Sequence, residues 1–499
     1  MRTSTTVAFL KYYIVVGNGE TVMNTIKQNT LEQYEDLLAG GGTAYDRVAS
    51  LFDAGTFVEL GRFVKKATTE FDDAPGNEFE GVVTGYGAID GKLVFAFVQD
   101  FSRMKGAMSE AHAKKIVAVY DAAMKSGAPV IGVFDSAGAK VLEGVAALSG
   151  YGSIMKASAQ ASGVIPQIAI VAGTCSGSMA TVASMFDVVI GTKEASLYIT
   201  SPFALKAKGV ENAGSMAYAA ENGAVSVVTA TVEEAIATAK KLVTLFPSNS
   251  VEGTAYNEVG DSANRLISGE GALAEIVAEL VDAGSAVELT KSYAPETATT
   301  IASIGGITVG VVAAGGKLTS KGAEKAAKFV SFCDSFSIPV VTLVDCEGTA
   351  ACACCEKAPF ASKLARLASA YAVSTTAKVT VVTGKAYGTV FTIFGSKTLG
   401  ADVALATPSA SISVMPTEAA VEFIYAEQIK SAADPMAEKE AVTAEWTGKV
   451  CSPVTAARNG DIDDIISADQ LRMRVAAALE MLSGKATTAP YKKHGNLPL

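Results

Sequence analysis

Two stretches of the chain, 210 residues apart, are near-copies of one another. "GAPVIGVFDSAGA" (127–139) and "SIPVVTLVDCEGT" (337–349) share a Pro, an apolar run, an Asp at the end of that run and a loop that contains Gly. Each continuous apolar run is typical of a strand that is covered on both faces, as in parallel α/β units. The sequence therefore predicts the same strand and loop twice.

Two further pairs of stretches repeat in the same order. "IPQIAIVAGTCSGSMATVASMFDVVIG" (165–191) resembles "TAKVTVVTGKAYGTVFTIFGSKTLGAD" (376–402), and upstream "AIDGKLVFAF" (88–97) matches "SIGGITVGVV" (303–312). The offsets drift only from 210 to 215 residues along the chain. Such a long, nearly constant period indicates a duplicated domain rather than a solenoid of short repeats.

The predicted domains follow from this duplication. A chain of 499 residues is too long for one ordinary core. We expect the boundary in the Pro-, Ser- and Asn-rich stretch 245–264. The predicted parts are a disordered extension over 1–22, an N-terminal domain over 23–262 and a C-terminal domain over 263–499.

Strands alternate with helical patterns in each copy, which predicts an α/β fold. "AHAKKIVAVYDAAMKSG" (111–127) is such a helix, and its Lys-Ser-Gly end is a plausible C-cap. At "VAGTCSG" and "VVTGKAYG" a strand ends in Gly and a helix begins. Open α/β sheets bind ligands at points of this kind.

Composition and charge exclude several classes of protein. A net charge of -10 argues against a nucleic-acid partner, which a basic face would recognise. The longest apolar stretch considered, "VAFLKYYIVV" (7–16), is too short to span a bilayer and contains Lys11. Seven Cys, an odd number bunched late in the chain, do not suggest a secreted disulfide framework. We expect a soluble, cytoplasmic protein.

The stretch Gly173 to Gly177 reads as G-x-C-x-G, the Cys form of the nucleophile elbow. A nucleophilic Cys175 would need a His as base, and the chain has only His112 and His494. The second copy carries Ala386 at the position of Cys175 but keeps the glycine that starts the turn. We therefore favour turns that present backbone N–H groups, which stabilise an oxygen that becomes negative, over a Cys nucleophile.

The motifs together resemble a known family. The match is strongest in "VVTGYGAIDGKLVFAFVQDF", "AMKSGAPVIGVFDSAGAKVLEG", "IPQIAIVAGTCSGSMA" and "TGKAYGTVFTIFGSKTLGADVALATPSASISVM". The chain is similar, from about residue 30 to its end, to the carboxyltransferase (β) subunit of biotin-dependent acyl-CoA carboxylases of the propionyl-CoA/methylmalonyl-CoA type. The resemblance implies a duplicated crotonase-like (ClpP/crotonase) ββα superhelix of two homologous domains.

The resemblance also implies a reaction and its partners. A carboxyl group would move between carboxybiotin on a separate carrier and the α-carbon of a short acyl-CoA such as propionyl-, methylmalonyl- or acetyl-CoA. Biotin would be carried by a biotin carboxyl carrier protein, with a biotin carboxylase or a membrane decarboxylase subunit as a further partner. The chain would form a homo-oligomer, a hexamer, with the active site at a dimer interface. Two alternatives remain. The chain could be the component of a decarboxylase or a transcarboxylase, of the methylmalonyl-CoA or glutaconyl-CoA type, or it could be a catalytically impaired scaffold subunit of such a complex.

The resemblance implies site residues in both domains. Gly177 and Ser178 would hold the thioester oxygen, and Thr389 and Val390 would hold the biotin ureido oxygen. The positions implied for acyl-CoA binding are Gly138, Ala139, Lys140 and Gly177. Those implied for the biotin side and substrate specificity are Gly348, Gly388, Phe391 and Thr392. This scheme needs no side-chain nucleophile or base and no metal in this chain.

The sequence departs from the family pattern at both sites. The usual Gly-Gly-Ala-Arg of the CoA loop is Ala137 to Lys140 here. On the biotin side Thr389 and Val390 are β-branched where relatives have small residues, and we expect Val390 to narrow the pocket and stiffen the turn. This departure is what motivates the scaffold alternative.

A Cys-rich loop, "DCEGTAACACCEK" (345–357), replaces the family's Pro-Gly loop. Its thiols are Cys346, Cys352, Cys354 and Cys355. They lack the paired CxxC spacing of a zinc ribbon, so we expect free thiols beside the biotin site rather than a metal centre.

Four charged residues have two interpretations each. Glu143 and Glu347 could act as an acid and a base, as the carboxylate pair of crotonase hydratases does, or could be solvated or N-capping. Lys114 and Lys115 could contact CoA phosphates or belong to the charged face of an amphipathic helix. We favour the structural interpretation for all four.

Overall fold

A computed structural model of the chain describes residues 42–67, 69–70, 79–258, 260–487 and 490–496. The predicted extension over 1–22 lies outside the described residues.

Eight strands of the first half form one mixed sheet in the order β1-β2-β3-β4-β5-β6-β8, and β7 pairs with the end of β5. The strands are β1 (Val58–Leu60), β2 (Val82–Ile89), β3 (Lys92–Gln99), β4 (Val130–Ser136), β5 (Gln167–Ser176), β6 (Val188–Thr192), β7 (Ser196–Tyr198) and β8 (Val227–Thr229). The first three strands are antiparallel, and the others pair in parallel.

The second half repeats this sheet strand for strand. Its path reads β9-β10-β11-β12-β13-β14-β16, and β15 pairs with β13 as β7 pairs with β5. The strands are β9 (Val287–Leu289), β10 (Thr297–Ile304), β11 (Ile307–Leu318), β12 (Val340–Thr349), β13 (Lys378–Tyr387), β14 (Val403–Ala406), β15 (Ser411–Ser413) and β16 (Asp464–Ile465). The predicted α/β fold of two similar domains is thus confirmed.

Helices connect the strands in both halves. Those of the first half are α1 (Thr43–Leu51), α2 (Glu110–Ser126), α3 (Val145–Ala161), α4 (Ser178–Ala183), α5 (Pro202–Lys206), α6 (Met216–Glu221) and α7 (Val232–Leu245). Those of the second half are α8 (Leu273–Leu280), α9 (Ser320–Ser335), α10 (Ala353–Lys357), α11 (Phe360–Val373), α12 (Thr389–Ile393), α13 (Thr417–Ile424), α14 (Ala426–Ser431), α15 (Pro435–Trp446), α16 (Pro453–Arg458) and α17 (Leu471–Met481). Among the described residues, none of these helices combines the length and apolarity that a membrane crossing requires.

Side-chain caps begin the long crossover helices of both halves, and the predicted C-cap at Gly127 is present. Ser109 Oγ accepts a hydrogen bond from His112 N (2.9 Å) and caps α2, which ends at Gly127 with φ 62°. In the second half Thr319 caps α9 in the same way, accepting from Gly322 N at 3.1 Å. Such caps satisfy amides that have no partner within the helix.

One buried cluster is shared by the two halves, and each half also has a cluster of its own. Leu242 and Phe246, from α7 and just beyond it, are buried in the same cluster as Leu289 on β9 and Phe336 at the end of α9. The Phe246 ring also meets that of Phe332 edge-on, with centroids 5.2 Å apart. The halves are therefore two copies of one unit that pack into a single body.

The boundary predicted at 262/263 falls in the segment between α7 and α8. Upstream of it, Ala255 O already accepts a hydrogen bond from Thr308 N (3.0 Å), and Asn257 N donates to Gly306 O (2.7 Å). The connecting segment is thus attached to the second sheet before residue 262.

Candidate active site

The first strand-to-helix turn lies between β5 and α4. Gly177 has φ 58° and ψ −133°, a conformation that favours glycine. Its N–H donates to Tyr198 O on β7 (2.8 Å), and Ala180 N donates to Gly177 O (3.0 Å). The N–H groups of Ser178 and Met179 have no acceptor among the residues that the structure describes. They form the free N-terminus of α4.

The second turn, between β13 and α12, has the same geometry. Gly388 has φ 62° and ψ −136°, and its N–H donates to Ser413 O on β15 (2.8 Å). Phe391 N donates to Gly388 O (3.2 Å). The N–H groups of Thr389 and Val390 have no acceptor in the described part of the chain.

The offset of 211 residues between the two turns pairs Gly177 with Gly388. Ser178 and Met179 are therefore the counterparts of Thr389 and Val390. Gly177, one of the two predicted amide donors, already donates its N–H to the strand beside it. Gly177 thus sets the conformation of the turn, and Met179 N is a further N–H group without a described acceptor, which sequence reasoning did not name.

The Asp at the end of each repeated strand fastens the neighbouring strand. Asp135 Oδ1 accepts from Thr174 N (3.2 Å), and Asp345 Oδ1 accepts from Lys385 N (2.8 Å). The pairing of β4 with β5, and of β12 with β13, is irregular at these two Asp residues. Arg47 holds the other oxygen of Asp135 at 3.0 Å. The repeated Asp thus shapes the strand end that leads into each turn.

A glycine loop lies beside each turn. Gly138 and Gly348 have φ 114° and φ 110°. A Cβ added to Gly138 would stand 3.2 Å from Ser176 Oγ, and one added to Gly348 would stand 3.8 Å from Tyr387 O. Each predicted loop is therefore brought next to the last residue of the strand that carries the turn.

Lys140 and Glu143 hold the first loop rather than reach out from it. Lys140 Nζ is 2.9 Å from Glu143 Oε1 and donates to Ala67 O at 3.1 Å. Glu143 Oε2 accepts from Glu110 N (2.8 Å) at the start of α2. The N-capping interpretation of Glu143 fits this geometry. Ala139, in the same loop, is exposed to solvent.

The remaining charged candidates are also paired. Lys385 lies 2.7 Å from Glu347 and lowers the pKa of that carboxyl, so Glu347 is ionised at neutral pH. Lys114 is exposed and pairs with Glu110 at 2.8 Å. Lys115 is buried, donates to Val82 O, and has a pKa lowered by burial to about 8. Its ammonium group therefore points against the backbone of β2 rather than into solvent.

Cys175 has the surroundings of a core thiol. It is fully buried, and burial raises its pKa, as does the nearby Asp135. His112 is fully buried as well, with a pKa lowered by burial to about 3, and its Nε2 lies 3.2 Å from Gln99 Nε2. Neither group has the thiolate character or the base that nucleophilic catalysis requires.

The structure corrects the expectation for Val390. Its side chain is fully buried and packs into the core with Ala386 and Ile393, so it does not narrow a pocket. Thr389 and Thr392 are exposed, and Phe391 is half-buried. The β-branched substitution therefore leaves the solvent side of the turn to Thr389.

Two features of the site were not foreseen. Gln99 Oε1 accepts a hydrogen bond from Asp135 N (3.0 Å), which fixes the backbone of Asp135. Its only sequence signal is a polar residue in the apolar run of β3. On the second loop, Cys352 Sγ lies 2.8 Å from Cys354 Sγ and 2.6 Å from Cys355 Sγ, because one turn of α10 brings the three thiols together.

Large apolar side chains are exposed next to both turns. Beyond the Gly138 loop these are Val141, Leu142, Val145 and Leu148. Beside the Gly388 turn and on the helices that follow it these are Val414, Phe423, Ile424 and Met436. Exposed apolar groups collected in this way mark a surface that another protein covers.

Comparison with known proteins gives consistent matches. A family model described as a carboxyl transferase domain matches residues 36–497. The methylmalonyl-CoA decarboxylase subunit alpha of Propionigenium modestum is 37% identical over 92% of this chain and 94% of its own length. The propionyl-CoA carboxylase beta chain of Saccharopolyspora erythraea is 37% identical over 92% and 91%.

A solved structure resembles this chain over nearly its whole length. It is that of transcarboxylase 12S, a hexamer with methylmalonyl-coenzyme A and methylmalonic acid bound. The TM-score is 0.88 at 33% sequence identity, with 98% of this chain and 100% of that chain covered.

Proposed function

The chain belongs to the carboxyl transferase family and transfers a carboxyl group to or from an acyl-CoA, and we propose that the other reactant in this transfer is carboxybiotin on a separate carrier. The acceptor or donor is the α-carbon of a short acyl-CoA of the propionyl/methylmalonyl kind. The full-length match to transcarboxylase 12S, with methylmalonyl-coenzyme A bound, is the single observation that carries this choice of substrate.

On the acyl-CoA side the chain supplies hydrogen-bond donors. The N–H groups of Ser178 and Met179 point from the free end of α4, and Gly177 sets their direction. Donors fixed in this way stabilise the negative oxygen that a thioester develops as its α-carbon loses a proton or a carboxyl group. Gly138 and Ala139 line the route of the CoA, while Lys140 keeps the loop in place through Glu143.

The biotin side fits a neutral carbonyl group. Thr389 and Val390 offer two N–H groups without acceptors among the described residues, and Gly348 and Gly388 leave space that a Cβ would fill. Biotin, once its carrier brings it in, supplies the activated carboxyl group. The ureido oxygen would accept from the two N–H groups, which orients the ring. Phe391 and Thr392 follow on the same helix and contribute to specificity.

Among the described residues, none of the side chains considered as a nucleophile, acid or base is placed for that role. Cys175 and His112 are both fully buried, Glu143 is paired with Lys140, and Glu347 is ionised beside Lys385. Proton removal is then left to the substrates themselves, while the chain binds and orients them.

The assembly follows from the exposed apolar surfaces. Those beyond the Gly138 loop and beside the Gly388 turn would pack against each other in a homo-oligomer, so that the acyl-CoA site of one subunit faces the biotin site of its neighbour. Transcarboxylase 12S is a hexamer, which supports a hexamer for this chain. A biotin carboxyl carrier protein is the further partner, and either a biotin carboxylase or a membrane decarboxylase subunit completes the complex. We place the protein in the cytoplasm.

A carboxyl-transfer assay tests the proposal. The purified chain is incubated with a carboxylated biotin carrier and, in separate reactions, with acetyl-, propionyl- and butyryl-CoA, and the labelled acid product is measured. We expect transfer to propionyl-CoA to be fastest. Absence of transfer to every acyl-CoA, with a carrier that a known carboxyltransferase accepts, would contradict the proposal.

The scaffold alternative makes a different prediction for the biotin side. Replacing Thr389 and Val390 together by Gly and Ala would leave activity at zero if the site had decayed. The Gly388 turn keeps the conformation of the Gly177 turn, which supports a working site. We therefore expect measurable activity before the replacement and a change in it afterwards.

A further inference from the structure

Three cysteine sulfurs converge on the loop after β12, at a place where the first half of the chain has none. Cys352 Sγ is 2.8 Å from Cys354 Sγ and 2.6 Å from Cys355 Sγ, and all three sulfurs lie within 4.8 Å of one another. Within the described residues this trio is the one group of His, Cys, Asp or Glu close enough to hold a metal ion.

The local backbone brings the sulfurs together. Cys352 is the N-cap of α10, and its Sγ accepts from Cys355 N at 3.3 Å. A helical turn places residues three apart on one side, so Cys355 returns beneath Cys352. Cys355 is buried, Cys352 is half-buried and Cys354 is exposed. The cluster thus has a closed back and a front that is open to solvent.

We propose that Cys352, Cys354 and Cys355 form a binding site for a thiophilic d¹⁰ cation, such as Zn²⁺ or Cu⁺. Thiolates are the ligands that select these ions. With metal–sulfur bonds of about 2.3 Å, tetrahedral geometry separates two sulfurs by about 3.8 Å, so the cluster opens by about 1 Å when it binds. The open front leaves room for a fourth ligand from solvent.

Convergence of all three sulfurs favours a metal over a disulfide. A disulfide between Cys352 and Cys355 would explain one short distance and leave the approach of Cys354 without a purpose. It would also need an oxidant, for example a small-molecule disulfide that takes up two electrons and two protons. A metal uses the three sulfurs at once and releases only their protons.

Metal binding would fix the far end of the biotin-side loop. The loop starts at Asp345, which holds Lys385 N, and passes Gly348 beside Tyr387. Its other end is α10, where no such anchor to the turn is present among the described residues. Closing the trio around an ion would hold α10 in one conformation. This ordering of the loop does not depend on the proposed carboxyl-transfer reaction.

Metal titration of the full chain tests the site. The reduced, metal-free protein is titrated with Cd²⁺, and thiolate-to-metal charge-transfer absorbance is recorded, followed by Zn²⁺ competition and elemental analysis. We expect one ion per chain in the unaltered protein. Cys352→Ser and Cys355→Ser should each lower the affinity at least tenfold. Cys451→Ser, at a buried thiol in the same half, is the matched control and should bind as the unaltered protein does.

Two results would overturn the proposal. One is Cd²⁺ binding that is equally strong in Cys352→Ser and in the control. The other is a Cys352–Cys355 disulfide, found by peptide mass after treatment with glutathione disulfide, in a protein whose reduced form binds no Cd²⁺. Circular dichroism of each variant shows whether it is folded.

Protection from trypsin gives a readout of the loop itself. Lys357 is exposed at the end of α10, so cleavage after it reports on that helix. We expect Zn²⁺ to slow this cleavage at least threefold in the unaltered protein and to leave it unchanged in Cys352→Ser. Equal cleavage rates with and without Zn²⁺ in the unaltered protein would show that the metal does not order the loop.

Discussion

Gly177 and Gly388 have the same backbone conformation, with φ 58° and ψ −133° in one and φ 62° and ψ −136° in the other. The residues that follow them differ in kind, Ser178 and Met179 in the first half and Thr389 and Val390 in the second. The duplication therefore preserves the direction of the helix N–H groups while the side chains diverge. A site built from backbone donors tolerates this divergence.

Alanine at either glycine should destabilise the protein. An L side chain at these angles costs about 1–3 kcal/mol. Gly388→Ala should cost more than Gly177→Ala, because its Cβ would stand 3.0 Å from Val414 O while that of Gly177 meets nothing within 4 Å. Urea unfolding measures both. Gly152→Ala, in helix α3 with open space around it, is the control and should stabilise by about 1 kcal/mol. Equal stability of the Gly388→Ala and Gly152→Ala proteins would contradict the backbone conformation described for Gly388.

Proline at Ser178 removes a single N–H group. Ser178 is the first residue of α4, where proline is well tolerated, so the fold should persist. If this N–H stabilises the thioester oxygen, Ser178→Pro should lower kcat by about 10²–10³-fold. Ser178→Ala keeps the N–H and should retain most activity. Similar rates in the two variants would show that the donor is not used.

The same pair of substitutions tests the biotin side. Thr389 begins α12 and is exposed, so Thr389→Pro should fold, and Thr389→Ala is its control. We expect the Pro variant to lose transfer from the biotin carrier while acyl-CoA binding, measured by calorimetry, stays unchanged. Loss of acyl-CoA binding in Thr389→Pro would indicate that Thr389 serves the acyl-CoA rather than the biotin.

Cys175→Ala should leave catalysis intact. The thiol is fully buried, and Ala386 takes its place in the second half. Removing the sulfur should cost about 1 kcal/mol of unfolding free energy, visible as a small fall in Tm. A fall in kcat of tenfold or more, with the fold retained, would revive the nucleophile hypothesis.

Asp187 should make stability depend on pH in a defined direction. Burial raises the pKa of its carboxyl from 3.8 to about 7, while its Oδ2 accepts from Gln167 N at 2.8 Å. The folded state thus keeps a proton that the unfolded state loses above pH 3.8. Its contribution to stability is fully present below that pH and is lost as the pH rises through about 7. Unfolding of the unaltered protein and Asp187→Asn from pH 5 to pH 8 should show the variant gaining relative stability. A constant difference would contradict the raised pKa of Asp187.

A charge in the exposed apolar surface should break the oligomer. Phe423 on α13 is 81% exposed in the isolated chain. Phe423→Asp should shift the protein toward smaller species in light scattering, with loss of activity if the site needs two subunits. Val251→Asp, at a side chain 90% exposed outside this surface, is the control and should not change the mass. An unchanged mass for Phe423→Asp would exclude this surface from the interface.

Much of the fold could be predicted from the sequence. The repeated motifs predicted two α/β halves, and the structure confirms them as two sheets with the same strand order. The family resemblance is confirmed by the matching carboxyl transferase model. These successes rest on local patterns, since an apolar run followed by Asp and Gly has the same meaning wherever it occurs.

The errors lie where side-chain direction decides. Val390 was expected to line a pocket and is buried in the core instead, because the first turn of α12 faces the sheet. The free N–H group of Met179 was not named, since the hydrogen bond of Gly177 N to β7 becomes visible only when that strand is placed. The Cys trio lacked a known spacing, and the short helix α10 alone brings its sulfurs together.

The shared core has a consequence for the history of the chain. Leu242 of the first half and Leu289 of the second belong to one buried cluster, so each half completes part of the other's interior. A gene cut between them would encode two products with exposed apolar faces, which would aggregate unless they found each other. Each copy has therefore become the other's folding partner, and selection can vary their turns and loops separately while it must keep their contact surfaces together.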